Sequence, residues 1–226
     1  MKSYYDRRAP EYDATTYELV QKDPAAARDL SELERLLAGL PPGRVLDIGC
    51  GTGWLTQFLR GSVVALDQSE SMLELARKRV PDAVFVLADV PPLPFPTGSF
   101  DRALVGHIYS HIERVDDRSA FVADALRVAS ELIVVEQAWH PHLLREGWER
   151  RPLADGTEQR VFKRYFTADD LADELGAQVL LDTPTFVAVR RASVGADPWT
   201  RRRCEAGLDL PLRSAGTGRG AAWLAR

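Results

Sequence analysis

The amino-acid sequence predicts an α/β fold in which helices cover both faces of a mostly parallel β-sheet. Short apolar runs alternate with segments of helical spacing through the first 137 residues, which is typical of β-α-β units. The runs do not alternate with polar residues, as expected for strands buried on both faces. The last two runs, 177–182 and 185–191, are joined by a connection too short for a parallel pair, so they predict an antiparallel edge.

The individual elements follow from the same patterns. Strands are predicted over 44–49, 63–67, 84–89, 102–107 and 131–137, before the final antiparallel pair. Helices are predicted over 24–38, 54–60, 71–80, 117–130 and 167–175. Asp23, Ser69 and Thr167 precede or open three of these helices, and their side chains are of the types that cap a first turn.

Length and composition predict one soluble domain. The chain has 226 residues, 45% hydrophobic and 27% charged, and no apolar run approaches the ~20 residues of a membrane span. The N-terminus is too polar for a signal peptide. Two distant cysteines, Cys50 and Cys204, form neither a disulfide framework nor a zinc pattern. We therefore expect a reduced, cytoplasmic location.

The charge is unevenly distributed. The net charge of −4 argues against a nucleic-acid partner, which would require clustered lysine and arginine. Residues 193–226 carry six arginines against three acidic residues and show no sustained periodicity. We expect a domain over 1–192 followed by a basic, poorly ordered tail. The alternative is a basic arm for a polyanion, with Arg201, Arg202 and Arg203 as its contacts.

Residues 138–166 form an unusually long connection after the fifth predicted strand. Asp155-Gly156 within it predicts a β-hairpin. Insertions at the carboxyl ends of strands cover the ligand crevice of an open α/β sheet, so we expect a substrate cover; a hairpin that only packs on the sheet edge is the alternative. The connection contains five aromatic residues: Trp139, Trp148, Phe162, Tyr165 and Phe166.

A glycine-rich loop follows the first predicted strand. In VLDIGCGTGWL (45–55), glycines occupy positions 49, 51 and 53, where they allow a tight turn and close approach to a ligand. The G-x-G-x-x-G dinucleotide fingerprint would need glycine at Trp54 or at Thr56. The Gly-Lys-Ser/Thr of a P-loop is also absent. The loop therefore does not favour a pyrophosphate ligand.

The pattern D-x-G-x-G-x-G at 47–53 is similar to motif I of the class I S-adenosylmethionine (SAM)-dependent methyltransferases. The resemblance extends to about 4–191. It includes Asp67 and Asp89, which end the second and third predicted strands, and the segments 4–13 and 91–101. It is greatest to small-molecule members of the ubiquinone/menaquinone type. It implies SAM as cofactor and a Rossmann-like doubly wound sheet of seven strands in the order 3-2-1-4-5-7-6. One departure is RVASEL, where the family often has a Pro-Gly-Gly turn.

The resemblance also assigns roles in a cofactor site. Asp47 is expected to pair with the α-amino group of SAM, and backbone N–H groups of the glycine loop to receive its carboxylate. Asp67 suits the ribose diol, unless it only caps the next helix, and Asp89 suits the adenine, unless it is a turn acid. The full predicted set is Tyr12, Asp47, Gly49, Cys50, Gly51, Gly53, Asp67, Gln68, Met72, Ala88, Asp89, Val90 and Gly106.

Two histidines follow the fourth predicted strand. The i, i+4 spacing of His107 and His111 would place them on one face of a helix, where either could act as base or contact a ligand; His111 as a capping or packing residue is the alternative. HIYSH lacks the glutamate of H-E-x-x-H. His140 and His142 lack a third ligand, so no metal is expected. Cys50 is interpreted as a loop residue, not a nucleophile.

Motifs of other methyltransferase classes are missing. The chain lacks the D/N-P-P-Y/F motif after the fourth strand, the Pro-Cys nucleophile of cytosine-C5 enzymes and the acidic triplet of a catalytic magnesium site. The sequence therefore predicts in-line methyl transfer to oxygen, carbon or nitrogen of a small, partly apolar or aromatic molecule. An RNA or protein methyltransferase and a non-catalytic SAM-fold binding protein stay as alternatives, and the oligomeric state is left open.

Overall fold

Seven strands form one sheet in the computed structural model, which describes residues 2–193. The strands are β1 (Gly43–Ile48), β2 (Gly61–Asp67), β3 (Val84–Leu87), β4 (Phe100–Gly106), β5 (Ala129–Gln137), β8 (Gln178–Asp182) and β9 (Phe186–Ala192), while β6 (Glu146–Pro152) and β7 (Glu158–Arg164) form a separate pair. The order in the sheet is β3-β2-β1-β4-β5-β9-β8. The first five strands are parallel, and β9 runs antiparallel to both β5 and β8. The predicted Rossmann-like fold and its strand order are confirmed.

Helices cover both faces of this sheet. They are α1 (Lys2–Arg8), α2 (Tyr12–Thr15), α3 (Tyr17–Gln21), α4 (Pro24–Gly39), α5 (Glu70–Arg79), α6 (Val115–Val128) and α7 (Ala168–Leu175). Phe121 of α6 and Leu171 of α7 are buried in one hydrophobic cluster. Tyr17 of α3 and Leu33 of α4 are buried in a second cluster. We refer to α1–α3, residues 2–21, as the N-terminal cover.

Three helices begin at the predicted capping residues. The Asp23 carboxylate accepts the backbone N–H groups of Ala25 and Ala26, and Ser69 Oγ accepts that of Met72. Thr167 forms a capping box with Asp170 at the start of α7. These side chains satisfy backbone donors that have no partner within the helix, and the predicted caps are confirmed.

The predicted helix over 54–60 is wrong. The chain makes only one 3-10 turn there, Thr56–Phe58, before β2 begins at Gly61. Seven residues separate Gly53 from Gly61. They must carry the chain from the carboxyl end of β1 back to the start of β2, because the two strands are parallel. The apolar spacing of this segment instead places Leu55 in the core and stacks Trp54 on Tyr17, with ring centroids 4.8 Å apart.

The β6–β7 pair is the predicted hairpin, inserted after β5. It contacts the N-terminal cover at its turn. Arg7 Nη1 donates to Thr157 Oγ1 at 2.8 Å, and Glu11 Oε1 accepts the backbone N–H of Ala154. Tyr4 is buried with Leu153 and Val161 of this region, so the two segments hold each other.

Among residues 2–193, no helix combines the length and apolarity that crossing a membrane requires. The sequence-predicted basic tail lies outside the described residues, apart from Ser193.

Candidate active site

A cavity that is partly open to solvent lies at the carboxyl ends of β1 and β4. The strand order reverses between these two strands, because β2 and β3 continue on one side and β5 on the other. Open α/β sheets bind ligands at such a switch point. The cavity is lined by Tyr12, Tyr17, Asp47, Gly49, Cys50, Gly51, Thr52, Leu55 and Gly106.

The glycine loop turns through left-handed backbone at all three predicted glycines, with φ of +70°, +53° and +78° at Gly49, Gly51 and Gly53. The first two have different surroundings. A Cβ at Gly49 would lie 1.7 Å from Ile108 Cδ1, so that glycine permits close packing inside the protein. A Cβ at Gly51 would meet no atom of the described part of the chain within 4 Å, apart from its two sequence neighbours. Gly51 thus leaves its space to the cavity.

Asp67, at the end of β2, shapes this loop. Its Oδ2 accepts the backbone N–H of Gly51 and its Oδ1 that of Ser69, both at 2.9 Å. Burial raises the pKa of Asp67 to about 6, against the lowering effect of these hydrogen bonds. Each carboxylate oxygen has a second lone pair, so Asp67 can accept further hydrogen bonds from a ligand.

Asp47, near the end of β1, is the second buried carboxylate of the site. It is 2% exposed and accepts a hydrogen bond from Thr56 Oγ1 at 2.7 Å. Burial raises the pKa of Asp47 to about 7, with the Thr56 hydrogen bond lowering it and nearby Asp67 raising it. A cationic ligand group would favour the ionised form.

The N-terminal cover forms part of the cavity wall. Tyr12 and Tyr17 line it, and Asp13 connects the cover to the glycine loop. Asp13 Oδ1 accepts a hydrogen bond from Thr52 Oγ1 at 2.6 Å, and Asp13 Oδ2 lies 2.6 Å from Arg79 Nη2. Arg79 also donates to the Thr52 carbonyl. These contacts join cover, loop and α5 around the site.

The two predicted histidines do not share a helix face. No α-helix spans them, because His107 lies just after β4 and His111 ends a 3-10 turn, Tyr109–His111. His107 has a φ of +60°, which is uncommon for a residue other than glycine. Its Nδ1 is buried without a hydrogen-bond partner among residues 2–193, and it lies 4.0 Å from Glu136 Oε2. Burial lowers the pKa of His107 to about 3.

His111 has a fixed orientation. Its Nδ1 lies 2.6 Å from the carbonyl oxygen of Phe162 in β7. Because a carbonyl oxygen only accepts, we assign the proton to Nδ1, which leaves Nε2 with a free lone pair. Burial lowers the pKa of His111 well below its usual value, and the nearby cations Lys163 and Arg151 lower it further. His111 is therefore neutral at physiological pH.

The structure brings to this end of the sheet three charged residues that are not among the predicted site residues. Glu136 is fully buried at the end of β5, and Lys163 of β7 is 2% exposed. Arg151 of β6 lies near Tyr5 and Tyr12 and pairs with Glu149 at 2.9 Å. A glutamate inside the apolar run ELIVVEQ was the available signal.

Seven residues of the predicted cofactor set and both predicted histidines are not among the residues that line the cavity: Gly53, Asp67, Gln68, Met72, Ala88, Asp89, Val90, His107 and His111. Gln68 follows β2, and Met72 is buried in α5 at 1% exposure. The segment of Ala88, Asp89 and Val90 lies beyond β3, which ends at Leu87, and Asp89 is exposed.

The aromatic residues and histidines of the insertion do not form one group. Trp148 is 43% exposed, whereas Phe166 is fully buried in the core. His140 and His142 stack with ring centroids 5.3 Å apart. Among residues 2–193, no three His, Cys, Asp or Glu side chains are grouped so that they could hold a metal ion.

Comparisons with known proteins agree with this geometry. The sequence pattern of the family described as "Methyltransferase domain" matches residues 46–131. The DhpI–SAM–HEP complex superposes with a TM-score of 0.66 at 30% identity, over 84% of this chain and 94% of DhpI. The chain belongs to the class I SAM-dependent methyltransferases. This confirms the family resemblance, and the cofactor of the family is SAM.

Curated relatives of this methyltransferase match it over shorter lengths. Demethylmenaquinone methyltransferase of Renibacterium salmoninarum is 32% identical over 61% of the chain and 58% of its own length. Malonyl-[acyl-carrier protein] O-methyltransferase of Erwinia pyrifoliae is 48% identical over 30% of the chain and 29% of its own length. The chain thus spans less than two thirds of either relative.

The residues around the cavity fit SAM chemically. SAM has an α-ammonium, a carboxylate, a ribose diol and a positive sulfur. Asp47 and Asp67 offer two buried carboxylates, and Gly51 leaves open space where a side chain would intrude. Tyr12 and Tyr17 line the same cavity as the glycine loop.

Proposed function

We propose that this methyltransferase methylates a small organic molecule that is enclosed between the N-terminal cover and the hairpin. The observation that carries the proposal is the closure of the site. The cavity lies beneath Tyr12 and Tyr17, and the cover is hydrogen-bonded to the glycine loop on one side and to the hairpin on the other. An acceptor that reacts there must fit inside, which favours a small molecule over a nucleic acid or a folded protein.

In this proposal the chain's own residues hold the cofactor. Asp47 pairs with the α-ammonium, the backbone of the glycine loop faces the carboxylate, and Asp67 accepts the ribose hydroxyls. Tyr12 covers the bound molecule. When bound, SAM supplies an activated methyl group whose S–CH₃ electron pair stays on sulfur as the methyl moves to the acceptor.

Tyr12 lines the cavity, and the proposal assigns Tyr5 and His111 to the side that receives the acceptor. Burial raises the pKa of Tyr12 to about 12 and raises that of Tyr5 as well, so both phenols are neutral hydrogen-bonding groups on apolar rings. Such walls suit a flat or partly apolar molecule with a polar reacting group.

His111 is the base in the proposed reaction. With Nδ1–H donated to the Phe162 carbonyl, Nε2 can take the proton that an acceptor O–H or N–H loses as the new bond to carbon forms. The remaining contribution is alignment and exclusion of water, and positioning of this kind can be worth ~7–11 kcal/mol.

The names of related proteins support a small-molecule or acyl acceptor. Two curated relatives are named for demethylmenaquinone and for the malonyl group of an acyl-carrier protein. DhpI is described in a complex with SAM and HEP. These names cover several acceptor types and therefore support the class of reaction, while the acceptor itself must come from experiment.

The test is transfer of a labelled methyl group. The protein is incubated with methyl-labelled SAM and separate pools of quinols and phenols, small organic acids, amines, RNA and protein. Transfer into a small-molecule pool, lost in Asp67→Ala, supports the proposal. Transfer only into RNA or protein contradicts it, and SAM binding without transfer into any pool favours a binding protein.

A further inference from the structure

A buried ion pair joins strand β5 of the sheet to strand β7 of the hairpin. Glu136 of β5 is 0% exposed and Lys163 of the hairpin strand β7 is 2% exposed. Lys163 Nζ lies 3.4 Å from Glu136 Oε2. Burying two charges costs several kcal/mol per ion before their attraction is counted, so a pair at this location calls for a reason beyond stability.

Both members of the pair form hydrogen bonds with Ser110, which lies between His107 and His111. Lys163 Nζ donates to Ser110 Oγ at 2.8 Å, and Glu136 Oε1 accepts the backbone N–H of Ser110 at 2.9 Å. Ser110 is itself fully buried and directly precedes His111. The hairpin and the central sheet thus both form hydrogen bonds with Ser110 of the 3-10 turn.

The hairpin also holds the His111 ring directly. The Phe162 carbonyl that accepts from Nδ1 belongs to the residue next to Lys163 in β7. If β7 moved relative to β5, Ser110 would lose its contact with Lys163, and His111 would lose the partner that defines its tautomer. One strand therefore sets both the position of the loop and the orientation of the ring.

We infer that Lys163 and Glu136 are positioning residues that dock the hairpin onto β5 and thereby fix His111 with Nε2 directed to the acceptor. The inference rests on the proposed function, in which His111 is the base. Neither residue touches the reacting atoms in this account. The acceptor half of the active site is complete only when the hairpin is docked.

Lys163 also acts on His111 through its charge. The groups facing His111 are Lys163 from β7, Arg151 from β6 and His107 from the end of β4. Glu136 is the counter-ion of Lys163, and Glu149 that of Arg151. After burial, the Lys163 ammonium is the largest influence that lowers the pKa of His111. Removing it should therefore raise that pKa.

Strand β5 also carries one member of a matched control pair. Arg102 of β4 and Glu131 of β5 form another largely buried ion pair, with side chains 11% and 16% exposed, at the opposite end of the sheet. Disrupting it tests the general cost of losing a buried pair. It does not alter the surroundings of the histidines.

The experiment measures the tautomer and the titration midpoint of the histidine side chains, and it needs no methyl acceptor. The chain has four histidines, so long-range ¹H–¹⁵N spectra of histidine-labelled protein can be assigned with His107→Asn and His111→Asn. Lys163→Met/Glu136→Gln removes both charges and keeps the volume, and Arg102→Met/Glu131→Gln is its control. Ser110→Ala, which removes only the hydroxyl, is a milder second variant.

The wild type should show His111 with Nδ1 protonated, Nε2 unprotonated and a titration midpoint well below that of free histidine. In Lys163→Met/Glu136→Gln we expect loss of the Nδ1–H signature and a midpoint shifted to higher pH, with a smaller change in Ser110→Ala and none in the control. If the double variant fails to fold, Ser110→Ala decides alone.

Unchanged His111 tautomer and midpoint in the folded variants would overturn the inference. A His111 that shows Nε2 protonated in the wild type would overturn it as well. Failure of the proposed function is separate, since it would appear as absence of S-adenosylhomocysteine binding or as full turnover in His111→Asn, whatever the spectra show.

Discussion

Asp67 Oδ2 accepts the backbone N–H of Gly51 at 2.9 Å. This hydrogen bond joins the end of β2 to the glycine loop that follows β1, so the residue proposed to bind the ribose also fixes the loop proposed to receive the methionine end of SAM. The two halves of the cofactor site are therefore not independent. Substitutions at either residue should affect binding of the whole ligand.

Gly51→Ala should weaken binding of S-adenosylhomocysteine about tenfold, equivalent to ~1.4 kcal/mol, because its methyl group would enter the cavity. Left-handed backbone costs alanine roughly 1–2 kcal/mol. Gly176→Ala is the matched control, since Gly176 has a similar φ of +58° and equally open surroundings, away from the cavity, at the end of α7. Calorimetry and thermal melts should show similar destabilisation in both variants but weaker binding only in Gly51→Ala. Equal affinities would remove Gly51 from the site.

Affinity for S-adenosylhomocysteine should fall as pH is lowered from 8 to 5. Burial raises the pKa of Asp47 to about 7 and that of Asp67 to about 6. Both groups must be ionised to accept the ammonium and the ribose hydroxyls, so protons compete with the ligand below these values. Calorimetric titration across this range measures the effect, and Asp47→Asn should remove the part that belongs to the higher pKa. A constant affinity would contradict the assignment of both carboxylates.

His111→Asn should lower turnover of any acceptor that is a hydroxyl or an amine by about 10²–10⁴-fold, the usual contribution of general base catalysis, and leave cofactor affinity unchanged. Because burial lowers the pKa of His111, the wild-type rate at saturating cofactor should not fall at pH 6.5, where an ordinary histidine is half protonated. His142→Asn serves as the control. Equal turnover in wild type and His111→Asn would return His111 to a packing role.

Asp13→Ala should speed dissociation of S-adenosylhomocysteine. Asp13 accepts from Thr52 and pairs with Arg79 in a partly buried setting, and hydrogen bonds to charged groups contribute ≈ 1.5–3 kcal/mol. Stopped-flow displacement should give a dissociation rate about tenfold faster, equivalent to ~1.4 kcal/mol. Glu32→Ala, which breaks the exposed Arg35–Glu32 pair on α4, should have no effect. An unchanged rate in Asp13→Ala would mean that the cover does not retain the ligand.

Local patterns were sufficient to predict most of the fold. Apolar runs, capping side chains and the Asp155-Gly156 turn are signals within a few residues of the structure they define, and the strands, caps and hairpin all follow them. The prediction of a helix over 54–60 was wrong because the apolar residues Trp54 and Leu55 pack into the core without a helix around them. The short connection between β1 and β2 contains only one 3-10 turn.

Six of the thirteen residues predicted for the cofactor site line the cavity, whereas the contacts around His111 were not predicted. Asp47 and the glycines lie together in the sequence, and their strand places them at the cavity. The contacts of Lys163 with Glu136 and Ser110 join residues 27 and 53 positions apart. No local pattern reports such a pairing, because docking of the hairpin on β5 depends on the whole fold.

The most direct test of the central claim is a thermal melt of the full chain with S-adenosylhomocysteine, with NADH as the control. Ligand at a hundred times its dissociation constant stabilises the folded protein by ≈ 2.7 kcal/mol, which for a domain of this size raises Tm by roughly 5–10 °C. We predict this rise with S-adenosylhomocysteine and none with NADH. No shift with S-adenosylhomocysteine, or a shift only with NADH, would contradict the assignment of the cavity as a SAM site.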